Sequence, residues 1–125
     1  MPSFTDDELD REVLFQLKMH VGHKNAVDRW ELVAKIFGPG ADLPRSDDNV
    51  SDRQIREAVR RLRRQGVIIC DMGDGRGRFL AETSDEYQAF RQYFGAGAFE
   101  KIETMHEMDK AAQQLWPNAL QPRLL

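Results

Sequence analysis

The sequence holds a single cysteine, Cys70, among 125 residues. That excludes an internal disulfide and any zinc module built on several cysteines. Long apolar runs are also missing. The longest span four residues, such as Val67 to Cys70, so no stretch suits a bilayer-spanning helix. The opening Met-Pro-Ser-Phe-Thr-Asp-Asp-Glu has neither the basic nor the apolar segment of a secretory signal. A cytoplasmic protein is therefore expected. Internal repeats and low-complexity tracts are absent too.

What remains is 41% hydrophobic and 31% charged, the balance of one globular domain with a heavily charged surface. The net charge of −3 hides an uneven distribution. Residues 1–50 carry six basic and ten acidic side chains, and residues 81–125 carry four and seven. Between them, residues 51–80 carry eight arginines, no lysine and four acids. An acidic chain can thus present one strongly positive face. Arginine in particular suits forked contacts with phosphates or guanine edges.

Capping patterns and apolar spacing place the elements. Thr5 and Glu8 form a capping box, and Leu9, Val13, Leu14, Leu17 and Val21 follow at helical spacing until Gly22. Asn25-Ala26-Val27 reads as a lone short strand. Asp28 and Glu31 open a second helix that ends at Gly38-Pro39. Residues 38–50 form a polar loop long enough to be expected to move or to act. Ser51 and Gln54 pattern as the cap of a third helix running to about Gln65 before Gly66. Ile55, Ala58, Val59 and Leu62 make its apolar stripe. Arg53, Arg56, Arg60, Arg63 and Arg64 fall in an arc of about 100° opposite.

Residues 67–71 and 78–82 read as paired strands joined by a glycine-rich turn at 72–77. The tip glycines serve the turn, so Gly75-Arg76-Gly77 is expected to be replaceable without loss of fold. Ser84 is expected to cap a fourth helix, Gly95-Ala96-Gly97 to break it, and a last helix to run from about Ala98 to Leu115. Trp116-Pro117 should begin a tail ending in Pro122-Arg123-Leu124-Leu125.

Few residues suggest chemistry. Gly73-Asp74-Gly75-Arg76-Gly77 leads into a strand, whereas a dinucleotide loop opens a helix. His20 and His23 straddle the helix-breaking Gly22, with no third ligand to complete a metal set. His106, between Glu103 and Glu107, reads as an ordinary exposed side chain. Asp6-Asp7-Glu8 serves the helix dipole, and Cys70 reads as packed in a strand. No Ser/His/Asp or Cys/His pairing stands out. Neither an enzyme nor a cofactor or metal is expected.

The order of helix, short strand, two helices, hairpin and two further helices resembles the winged-helix DNA-binding fold, a mainly α architecture with a small β-hairpin wing (α+β). The residues carrying the resemblance are Gly22-His23-Lys24-Asn25-Ala26-Val27, Ser51-Asp52-Arg53-Gln54-Ile55-Arg56, Val59, Leu62-Arg63, Gly66-Val67-Ile68-Ile69 and Gly77-Arg78-Phe79-Leu80-Ala81. The match spans roughly residues 9–90 and looks most like the short winged-helix proteins of phages and prophages. It implies a winged helix-turn-helix domain at 1–83, a helical extension at 84–116 and a tail at 117–125. It further implies double-stranded DNA as partner, with helix 52–65 in the major groove and the wing at 72–77 on the backbone.

In that arrangement Arg53 and Arg56 face base edges, Gln54 is a further DNA-binding residue, and Arg60, Arg63, Arg64, Arg76 and Arg78 face phosphates. A transcription or replication regulator of phage or mobile-element type follows. The other reading is a winged helix used to bind protein, as an adaptor or an inhibitor of a host nucleic-acid machine. Net acidity and the acidic loop favour it. Tyr87, Phe90, Phe94, Phe99, Ile102, Met105, Met108, Leu115 and Trp116 exceed what one small core needs, so a homodimer through the last two helices is also expected.

Overall fold

The computed structural model describes residues 3–94 and 100–120. Its elements are α1 (Asp6–Leu17), a 3₁₀ turn (His23–Asn25), α2 (Arg29–Phe37), α3 (Val50–Arg64), β1 (Ile69–Asp71), β2 (Arg78–Leu80), α4 (Ser84–Phe94), α5 (Glu100–Leu115) and α6 (Pro117–Leu120). The chain is mainly helical with a small antiparallel two-stranded sheet, consistent with the α+β class. No helix among the described residues is long and apolar enough to cross a membrane.

The capping residues set the helix starts. Thr5 and Glu8 exchange both hydrogen bonds of the capping box. Asp28 accepts from the amides of Trp30 and Glu31. At α3 the cap is Asn49, not Ser51. Asn49 accepts from the Asp52 amide at 2.9 Å, while its Nδ2 donates to the carbonyls of Ala41 and Pro44 at 3.0 Å each. One buried amide thus starts the helix and fastens the loop before it, leaving Ser51 buried inside the first turn. At α4 the cap is Thr83, whose hydroxyl accepts from Glu86, so Ser84 is already helical.

Elsewhere the hairpin overrides local pattern. Helix α1 stops at Leu17, short of Gly22, because the next residues bond to β2. Leu80 donates to the His20 carbonyl at 3.0 Å, and Gly22 donates to the Leu80 carbonyl at 2.8 Å. The expected strand at 25–27 shrinks to Val27, which exchanges two backbone bonds with Arg78 behind the 3₁₀ turn. Strands β1 and β2 pair Ile69 with Leu80, Cys70 with Phe79 and Asp71 with Arg78. Trp116-Pro117 leads into α6 rather than a tail. The expected break at 95–97, the helix start at Ala98 and residues 121–125 lie outside the described residues.

Helix α3 runs through the middle, touching α1, α2, α5 and β1. One apolar cluster joins α1, α2 and α3 with Ile69 of β1. A second joins Ile68, Cys70 and Phe79 to Tyr87, Phe90, Met108 and Ala112. The second cluster crosses the expected boundary between residues 83 and 84. The apolar side chains behind the dimer expectation also divide. Tyr87, Phe90 and Met108 are buried within the chain, with Phe94, Met105 and Trp116 packed against them. Ile102 and Leu115 stay exposed. Phe99 lies outside the described residues.

Candidate nucleic-acid interface

The arginines of α3 do not form one solvated face. Arg53, Gln54, Arg60 and Arg64 are exposed, with Glu57 among them. Among the described residues, no hydrogen bond or ion pair holds the Arg53, Arg60 or Arg64 guanidinium. Arg56 instead turns back along the helix, donating to Asp52 Oδ2 and to the Asp47 carbonyl, each at 3.0 Å. Arg61 grips Asp10 of α1. Arg63 donates to the Ile69 carbonyl at 2.8 Å and lies 5.0 Å from the ring centres of both Phe90 and Phe94. Burial, then the nearby charge of Arg78, pulls Arg63 down to about 10. Of the five arginines on the expected DNA face, Arg56 and Arg63 are built into the fold.

The hairpin divides its arginines in the same way. Arg76 is exposed at the tip, and among the described residues nothing holds its side chain. The tip is latched where Asp74 meets His23 Nε2 at 2.7 Å, and the His23 ring stacks on Phe79. Asp74 lies below the ordinary carboxylate value, first because it accepts from the Arg76 amide and then because of His23. Arg78 is only 8% exposed and points inward. Its Nη1 is buried with no hydrogen-bond partner among the described residues. Burial pulls Arg78 below the usual arginine value, with Arg29 and Arg56 adding repulsion against the opposing pull of Asp52 and Asp71. So placed, Arg78 cannot rest on a DNA backbone as the wing expectation has it.

Beneath the exposed edge lies an anchor that the sequence pattern did not expose. Asp52 is fully buried and binds Arg29 of α2 as well as Arg56. Arg29 also reaches Asp47 of the 38–50 loop. Hydrogen bonds to Asp52 raise the Arg29 value against the cost of burial. The available signal was an acid one turn before Arg56 in a helix otherwise rich in arginine.

A cleft of about 630 Å³ opens between α3, the hairpin, α4 and α5. Arg56, Arg60, Arg63, Arg64 and Arg78 line it with Asp71, backed by Phe90, Tyr93 and Phe94. Such a wall offers charge for anions and an exposed ring, Tyr93, for stacking. Cys70 is buried behind it, its thiol pushed up to about 12 by desolvation. Among the described residues, no three His, Cys, Asp or Glu side chains cluster to hold a metal ion. No protein-family model, curated protein or solved structure matches this chain.

Proposed function

We propose that the chain is a winged-helix protein that binds double-stranded DNA through the outer edge of α3, with the hairpin as its wing. One observation carries the reading. Arg53, Arg60 and Arg64 stand in solvent on one helix edge without a protein partner among the described residues, while Arg56, Arg61 and Arg63 of the same helix are held in the fold. Arg53 and Gln54, near the N-terminal end of α3, are suited to base edges in a major groove. Arg60 and Arg64 are suited to phosphates, as is Arg76 at the wing tip. A regulator of transcription or replication in a phage or mobile element is the role that fits such a small DNA-binding chain.

The second reading, a protein-interaction module, is favoured by Phe15 and Met19 of the α1 region. They are 61% and 58% exposed and lie four residues apart where α1 ends. Titrating the chain onto random-sequence duplex over a range of salt separates the two. DNA binding requires affinity that falls steeply as salt rises. No measurable duplex binding at low salt rejects it and leaves the module.

A further inference from the structure

Among the described residues, nothing satisfies one buried cation on the cleft wall. Arg78 comes from β2, and the carboxylate opposite it in register is Asp71. Asp71 makes no hydrogen bond or ion pair with it; its Oδ1 accepts instead from the Gly73 amide at 2.9 Å. Asp52, the other acid acting on Arg78, is engaged by Arg29 and Arg56. Among the described residues Arg78 Nη1 is therefore buried without an acceptor, and Arg78 lines a cleft that is open at its mouth. A buried charged donor left this way calls for an acceptor from outside the chain.

We infer that this cleft is a seat for a phosphoryl group, with Arg78 as its inner donor and Arg60 and Arg64 at its mouth. Among the described residues the lining carries five arginines against one carboxylate, so the ligand is an anion of more than one charge. One guanidinium fork satisfies a carboxylate, whereas donors arriving from a strand and from two turns of a helix suit a tetrahedral group with several acceptor oxygens. Arg63 adds its charge to the wall, its Nε donating to the Ile69 carbonyl and its guanidinium lying against Phe90 and Phe94. The volume suits a phosphoryl group together with the body that carries it. Arg60 and Arg64 are shared with the duplex reading, but Arg78 is not, because a guanidinium buried as deeply as Arg78 cannot meet a groove surface. Two sources share this chemistry: a free phosphate compound and the phosphorylated end of a nucleic-acid strand.

The test uses the full chain at constant ionic strength, with inorganic pyrophosphate as the probe in calorimetry and thermal unfolding. A second arm compares a 5′-phosphorylated single-stranded oligonucleotide with its 5′-hydroxyl twin. Pyrophosphate should bind saturably and raise Tm, and R78Q should weaken it by about tenfold or more. Without ligand, R78Q should unfold no lower than the wild type, because it removes an uncompensated buried charge. The double variant R60Q/R64Q, altered only at exposed positions, should weaken the same binding and keeps the test standing if R78Q fails to fold. R45Q, paired with Asp42 outside the cleft, should bind as the wild type does. A 5′-phosphate preference lost in R78Q identifies a strand end as the source. Pyrophosphate binding with no end preference identifies a free phosphate compound. Absence of both, or retention of both in R78Q and R60Q/R64Q, overturns the inference.

Discussion

Arg29 grips Asp52 with two donors of its guanidinium, Nε to Oδ1 at 3.0 Å and Nη2 to Oδ2 at 2.7 Å. The carboxylate is fully buried, while about a third of the guanidinium side chain is open to water. This contact joins α2 to the first turn of α3, where Arg56 shares the same carboxylate oxygen. The direction of the exposed arginine edge is thus set by an acid beneath it. The relation between the two helices of the proposed helix-turn-helix is held by charge as well as by apolar packing.

Asp52→Asn keeps the shape and removes the charge. It should lower stability by about 2–3 kcal/mol, less than for a wholly enclosed pair because Arg29 and Arg56 retain access to water. Arg56→Gln should cost under about 1 kcal/mol, its acid still being held by Arg29. Urea unfolding of the three proteins measures both. Equal midpoints for D52N and the wild type would remove the anchor role.

Gly77 and Gly75 look alike in the sequence and should behave differently. A Cβ on Gly77, at φ +102°, would sit 1.9 Å from the Val27 carbonyl oxygen, whereas one on Gly75 meets nothing within 4 Å. Gly75→Ala should therefore cost only about 1 kcal/mol for its positive φ. Gly77→Ala should cost more than about 3 kcal/mol and break the bridge between Val27 and Arg78. Accelerated amide exchange at Val27 and Arg78, specific to G77A, is the signature. The expectation that the whole tip tolerates replacement fails at this one glycine.

Burial pushes the Cys70 thiol from its ordinary 9.0 to about 12, and burial with the Asp109 contact pushes the Tyr87 phenol in the same direction. Above pH 9 the unfolded chain releases protons that the folded chain keeps. Stability is then complete below about pH 9 and declines as pH rises toward 12. Urea midpoints measured from pH 8 upward should fall, and Cys70→Val should flatten the first part of that fall. In the folded protein at pH 8 a thiol reagent should leave Cys70 untouched. Rapid labelling without unfolding would contradict its placement.

For duplex binding, replacing Arg53, Arg60 and Arg64 together by glutamine should leave stability within about 0.5 kcal/mol, since all three are exposed. The dependence of log affinity on log salt should flatten by about one for each phosphate that is no longer neutralised. Arg53→Ala alone should lower discrimination between sequences at a cost of about 1–3 kcal/mol. Unchanged affinity in the triple variant would sink the DNA reading.

Much of the fold was legible because local chemistry acts where it is written. Thr5, Asp28 and the glycines after α2 and α3 mark helix ends through their own hydrogen bonds or turns. Ser51 and Ser84 misled because a neighbour, Asn49 or Thr83, was better placed to accept the free amides. Distant partners were not legible. Nothing near Leu17 announces that the His20 carbonyl belongs to Leu80 and the Gly22 amide to the hairpin. The site was harder still. Arg56, Arg63 and Arg78 have the same composition signature as Arg53, Arg60 and Arg64, and only tertiary placement separates them.

The alternation of β1 carries one more consequence. Ile69 faces the cluster of α1 to α3, while its neighbours Ile68 and Cys70 face the cluster shared with α4 and α5. In β2, Phe79 and Leu80 divide the same way. A two-stranded ribbon this short serves as a party wall, with a room on each side. A chain cut after Thr83 would be left with one finished room and a bare wall, exposing Ile68, Cys70 and Phe79 to water. The molecule should therefore melt as a single cooperative unit, and its halves should not be separable by proteolysis or by truncation.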